Sequence, residues 1–176
     1  MDPEQVKEWQ NLRASALETL RNGYPQPNGA RKILRLLVLP SFSSSLCTEL
    51  FHLKNEQNEF ILFQSQWKLE SDLAKFRTPI ERLKYPRQLL PSIETFSKAA
   101  SPEFAEKVVD ELSSTNLPLW IKTPKNGLDG TEFELKLGGH YWSLCYHWWE
   151  QLPPEWKALD AIINTVMEYA KNLFKT

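Results

Sequence analysis

The spacing of apolar residues divides the chain into segments of two periods, one near 3.6 and one near 2, each implying its own backbone. Asp2-Pro3-Glu4 reads as a helix start, with Asp as N-cap and Pro at the first helical position. Val6, Trp9, Ala16 and Leu20 follow at helical spacing, with Leu12 and Leu17 beside the stripe, until Asn22-Gly23 ends the helix. From Ala30 the period changes. Ile33 to Leu39 is apolar on both faces apart from Arg35, as a strand covered on both sides would be. Ser45 to Leu53 places Leu46, Thr48, Leu50 and His52 on one face and Cys47, Glu49, Phe51 and Leu53 on the other. After the polar turn 54–58, Glu59 to Trp67 alternates, with Ile61, Phe63 and Trp67 opposite Gln64 and Gln66. Such short connections imply an antiparallel meander.

In residues 68–100, Leu69 to Phe76 fits one or two helical turns and Pro79, Pro86 and Pro91 limit any helix afterwards, so an irregular wrapping segment with short helices is expected. Ser101-Pro102-Glu103 opens a second helix, with Phe104, Val108, Val109 and Leu112 as its stripe and Ser113-Ser114 at its end. Pro118 to Ile121 reads as a short edge strand or extended segment, and 123–130 as a glycine-bearing loop. Thr131 to Trp149 then alternates as a hairpin. With Gly138-Gly139 as a two-residue turn, Phe133 faces Leu144 and Leu135 faces Trp142. One face collects Phe133, Leu135, Leu137, Trp142, Leu144, Tyr146 and Trp148; the other collects Glu132, Glu134, Lys136, Tyr141, Ser143, Cys145, His147 and Trp149. Pro153-Pro154-Glu155 opens the last helix, whose stripe from Trp156 to Phe174 calls for burial on the hairpin's aromatic face. The pattern gives an α+β fold: a mainly antiparallel sheet of five to six strands with N-terminal and C-terminal amphipathic helices packed on it. Its parts are the helix 1–23, the meander 30–67, the segment 68–100, and the helix, hairpin and helix of 101–176.

Composition bounds this picture without changing it. The chain's 176 residues, 41% hydrophobic and 24% charged, suit a single globular domain. A net charge of −1 supplies no general attraction to phosphate backbones, so no nucleic-acid partner is expected. The first residues lack the basic-then-apolar order of a secretory signal, and no apolar run approaches the ~20 residues of a membrane span. Cys47 and Cys145, far apart in sequence, are expected as reduced thiols in a cytoplasmic protein.

Little in the sequence carries chemistry. His52, His140 and His147 form no HxxxH or HExxH pair. Cys145 and His147 share a strand face and, with Cys47, have the residue types of a Cys2His metal set, but no tight ligand pair accompanies them. As a nucleophile and base they stand about 7 Å apart at the backbone, too far for ready proton transfer. Glu132 and Glu134 fit an ordinary exposed strand face, and Asn126-Gly127 and Asp129-Gly130 are turn dipeptides without phosphate-loop spacing. No catalytic residue, cofactor or metal is therefore assigned. The one feature above background is aromatic: Tyr141, His147 and Trp149 on the outer hairpin face, unless the N-terminal helix or the 68–100 segment covers them. They suggest a non-catalytic interaction or regulatory domain with a protein partner. The alternative is a small-ligand protein or enzyme with a pocket between the sheet and residues 68–100, using His52, His147 or Arg77.

Overall fold

A computed structural model of the chain describes residues 3–77, 90–118, 121, 127, 129–139 and 142–175. They form α1 (Pro3–Asn22), β1 (Ala30–Pro40), β2 (Leu46–Leu53), β3 (Phe60–Trp67), α2 (Leu69–Arg77), β4 (Ile93–Ala100), α3 (Pro102–Ser114), β5 (Thr131–Gly139), β6 (Trp142–Trp149) and, after a 3-10 turn at Pro154–Trp156, α4 (Leu159–Leu173). The six strands make one antiparallel sheet in the order β4-β3-β2-β1-β5-β6. No helix among the described residues is long and apolar enough to cross a membrane.

Each sheet face has its own core. On the first, Leu34, Leu36, Leu50, Leu62, Leu135, Tyr146 and Trp148 meet Phe104, Ala105 and Val108 of α3 and Leu159, Ile162, Val166 and Ala170 of α4. The terminal helix thus buries its stripe on the hairpin's aromatic face, as its amphipathic pattern requires. Phe104 and Tyr169 stack at 3.7 Å between the two helices, and the Ser101 side chain caps α3 by accepting from the Phe104 N–H. On the second face, Ala16 and Leu20 of α1 pack on Leu37, Leu39 and Cys47, and Leu69 of α2 packs beside Trp67. Burial on both sides explains why β1 lacks polar alternation.

Residues 68–100 begin with α2, where the helical turns at Leu69 to Phe76 were expected, and depart from expectation in the edge strand β4. β4 was illegible because it is exposed along most of its length, so no apolar alternation was required of it. Asp72, fully buried, ties the two elements together by accepting from Trp67 Nε1 at 2.8 Å, Ser92 N–H at 2.9 Å and Ser92 Oγ at 2.7 Å. Pro118 and Ile121 are not in a strand, and residues 119 and 120 lie outside the described residues. The last helix begins after a separate 3-10 turn rather than at Pro153.

The hairpin is real, but its register differs. Gly139 pairs with Trp142, so Gly138 and Gly139 lie within β5, and Phe133 faces Trp148 while Leu135 faces Tyr146. The reason is parity: a one-residue slip exchanges the faces, but a two-residue displacement of the turn preserves them. The side-chain pattern therefore fixed the faces and left the turn position open. The observed register stacks Phe133 on Trp148 at 5.3 Å.

Candidate functional site

The outer hairpin face lies on the α1 side of the sheet, yet α1 covers only the centre. Ser143, Cys145 and His147 are exposed. His147, with a side chain 55% exposed, stands 3.0 Å from Glu132 Oε1, and Arg21 at the end of α1 reaches the same oxygen at 2.6 Å. Burial alone would raise the Glu132 carboxyl, but bonds and charge from His147 and Arg21 outweigh it and hold the group below the ordinary carboxylate range. Beside it, Arg35 donates to Glu134 at 2.6 Å and to the Arg21 carbonyl, so this strand guanidinium caps the C-terminus of α1. Trp149 is half-buried, with its indole against Gly127 and Gly130; a Cβ at Gly127 would lie 2.8 Å from Trp149 Cε2. Neither α1 nor α2 covers His147, and Tyr141 lies outside the described residues. The sequence-predicted trio is thus an imidazole in contact with a carboxylate, an indole packed on its own loop, and a residue not described.

The cysteines are separated as well. Cys47 lies three strands from His147 along the row Cys47, Leu37, Glu134, His147, a span of about 14 Å at ordinary strand spacing. Among the described residues no three of His, Cys, Asp and Glu are grouped so as to hold a metal ion. Burial, helped by Glu49, raises the Cys47 thiol far above its ordinary value, while burial and Glu134 raise exposed Cys145. Both shifts disfavour the reactive thiolate.

The opposite sheet face contains a cavity of about 770 Å³ between the strands and the C-terminal half of α3. Its floor is apolar: Ile33, Phe60, Leu137, Leu144 and Tyr146. Leu144 remains 37% exposed there, because α4 seats on the hairpin farther along. One wall carries Arg31 and His52 from the strands, and the other carries Glu106 and Asp110, one turn apart on α3. His52 stacks on Phe60 at 4.8 Å and its Nε2 meets Asn58 Oδ1. With that oxygen as acceptor, Nε2 carries the proton and Nδ1 is the ring's remaining acceptor. Among the described residues no ion pair or hydrogen bond engages the side chains of Arg31, Glu106 or Asp110. Ser113 and Thr115 donate to the carbonyls of Val109 and Glu111, so neither hydroxyl is held by a base.

Of the three residues proposed for a ligand pocket, only His52 lines this cavity. His147 is on the other face, the Arg77 side chain is outside the described residues, and the covering element is α3 rather than residues 68–100. Arg31, Glu106 and Asp110 escaped sequence reading because isolated charges on a helix and a strand start usually face water. The one available signal was the Glu106/Asp110 spacing, a like-charge i,i+4 pair that costs a helix a little stability. Comparison with protein-family models, curated proteins and solved structures finds no match to this chain.

Proposed function

We propose that the domain binds a small amphiphilic ligand in the cavity between α3 and the sheet. The observation that carries this reading is the cavity itself: about 770 Å³, within the usual size of ligand pockets, with an apolar floor between walls of opposite charge. Glu106 and Asp110 suit a ligand amine, the floor suits an apolar or aromatic body, and Arg31 suits a carboxylate or other acceptor, while His52 Nδ1 can accept from a ligand donor. A small amino acid-like molecule, or an arylalkylamine bearing a hydroxyl, meets all three requirements. With no base-activated hydroxyl in the lining, the reading is binding rather than catalysis.

The test is thermal unfolding of the full chain with tyramine, phenylalanine and phenylacetate as probes. Binding to the native state alone raises Tm with ligand concentration. The amine-bearing probes are expected to raise it, and Glu106→Gln with Asp110→Asn to abolish the rise. No response to any probe, or an equal response from the double variant, sinks the proposal.

A second reading, a protein-interaction domain using Tyr141, His147 and Trp149, is supported by one feature: Ser143, Cys145 and His147 on the outer face of β6 are exposed. Its test is partner recovery with wild type, His147→Ala and Trp149→Ala. Partners held equally by all three would remove this surface from consideration.

A further inference from the structure

A second cavity, of about 620 Å³, lies on the same sheet face beside α4, and its lining shares no residue with the first. Its floor includes the polar positions that alternate along β3. Gln64 pairs across the sheet with Thr48, and Gln66 with Leu46. Polar residues facing water on an open strand need no explanation, but these face the side of the sheet that carries α3 and α4. Thr48 is only 2% exposed, yet no described residue hydrogen-bonds its hydroxyl or the Gln64 and Gln66 amides. The buried unpartnered side-chain atoms among the described residues are Arg35 Nε and Glu111 Oε2, so the Thr48 hydroxyl still opens on the cavity, where a ligand's hydrogen bond can replace water's. Charge is confined to the rim, where Glu168 and Lys171 on α4 and Lys175 just beyond it are exposed. Leu36 and Val38 supply apolar surface beside the amides.

We infer that this cavity is a binding site for a neutral cyclic amide, of the lactam or pyrimidine-base type, held by Thr48, Gln64 and Gln66. Each glutamine amide offers a donor and an acceptor side by side, and a cyclic amide edge presents the complementary pair. The ring body covers Leu36 and Val38. The floor is neutral, so an anion would meet charge only at the exposed rim lysines, away from Thr48, Gln64 and Gln66. This site is independent of the α3 cavity, and the failure of either leaves the other standing.

The experiment follows the backbone and glutamine side-chain amide resonances of the full chain by NMR, with uracil and δ-valerolactam as probes and acetate as the anionic control. Saturable shifts of the Gln64 and Gln66 side-chain amides are expected below about 20 mM of either cyclic amide, a weak affinity suited to so small a molecule. Gln64→Met, a half-buried position, and Thr48→Val are each expected to weaken binding about tenfold, the effect of one lost hydrogen bond. Well-dispersed spectra of both variants establish that they fold; should Thr48→Val unfold, Gln64→Met carries the test. Unsaturable shifts in wild type, equal affinity in folded Gln64→Met, or a stronger response to acetate than to the cyclic amides each overturn the proposal.

Discussion

The two sides of the β5–β6 hairpin handle polar groups in opposite ways. On the outer side, exposed in part, the charges engage one another: Glu132 with Arg21 and His147, and Glu134 with Arg35. On the inner side, against the α3 cavity, Arg31, Glu106 and Asp110 have no partner among the described residues. Its aromatic residues, Tyr141, His147 and Trp149, made the outer face a candidate in the sequence. Partnering separates the two: the outer charges join strands to α1, whereas the charges around the apolar floor have no such partner among the described residues, and the proposed ligand reading rests on that difference.

The contrast predicts unequal costs when each side is altered. The largest falls at Arg35. Replacing it with Met leaves Glu134 and the C-terminal carbonyl of α1 without their donor, and equilibrium urea unfolding should show a loss of about 3 kcal/mol. A loss below about 0.5 kcal/mol, the range of ordinary surface changes, would mean the outer network does not hold α1. Next comes Gly23, which ends α1 at a φ of +70° with the Glu49 carboxyl carbon 2.8 Å from where a Cβ would stand. Gly23→Ala should cost about 1–2 kcal/mol by the same measurement, from left-handed strain and displacement of Glu49.

A smaller effect is set by pH. The Glu132 carboxyl is held below its ordinary value in the folded chain, so the unfolded chain binds the more protons as pH falls. Its contribution is complete above the ordinary carboxylate pKa and is lost as pH drops from there through the depressed value. Glu132→Gln should therefore lower stability at neutral pH by under about 1 kcal/mol, because its partners are exposed, and flatten the acid limb of a stability–pH curve. An unchanged acid limb would show that the ion pairs contribute nothing. The smallest effect belongs to the cavity wall: Glu106→Gln and Asp110→Asn should each change stability by no more than about 0.5 kcal/mol, with a slight gain possible from relieving like-charge repulsion. A large loss from either would place these acids in the fold's own network and remove the contrast.

How much of this was legible depended on how strongly burial constrained each segment. β1 read as a two-sided strand because α1 and the α3–α4 layer do cover both faces, and α4 read clearly because its stripe from Leu159 to Ala170 is buried. The hairpin faces were legible but not the turn position, since parity is blind to a two-residue displacement. β4 left no trace, because an exposed edge strand needs no alternation. The site was less legible than the fold. His52 was named, but Arg31, Glu106 and Asp110 come together only when α3 is folded across the ends of β1, β2 and β5, a contact between distant segments that no local pattern encodes.

The most direct test of the ligand reading is an intermolecular nuclear Overhauser measurement on the full chain with tyramine. The account predicts cross-peaks from the tyramine ring to the methyl groups of Leu137 and Leu144, which form the cavity floor. Cross-peaks to His147 or Trp149 instead, or none under conditions where tyramine binds, would contradict it.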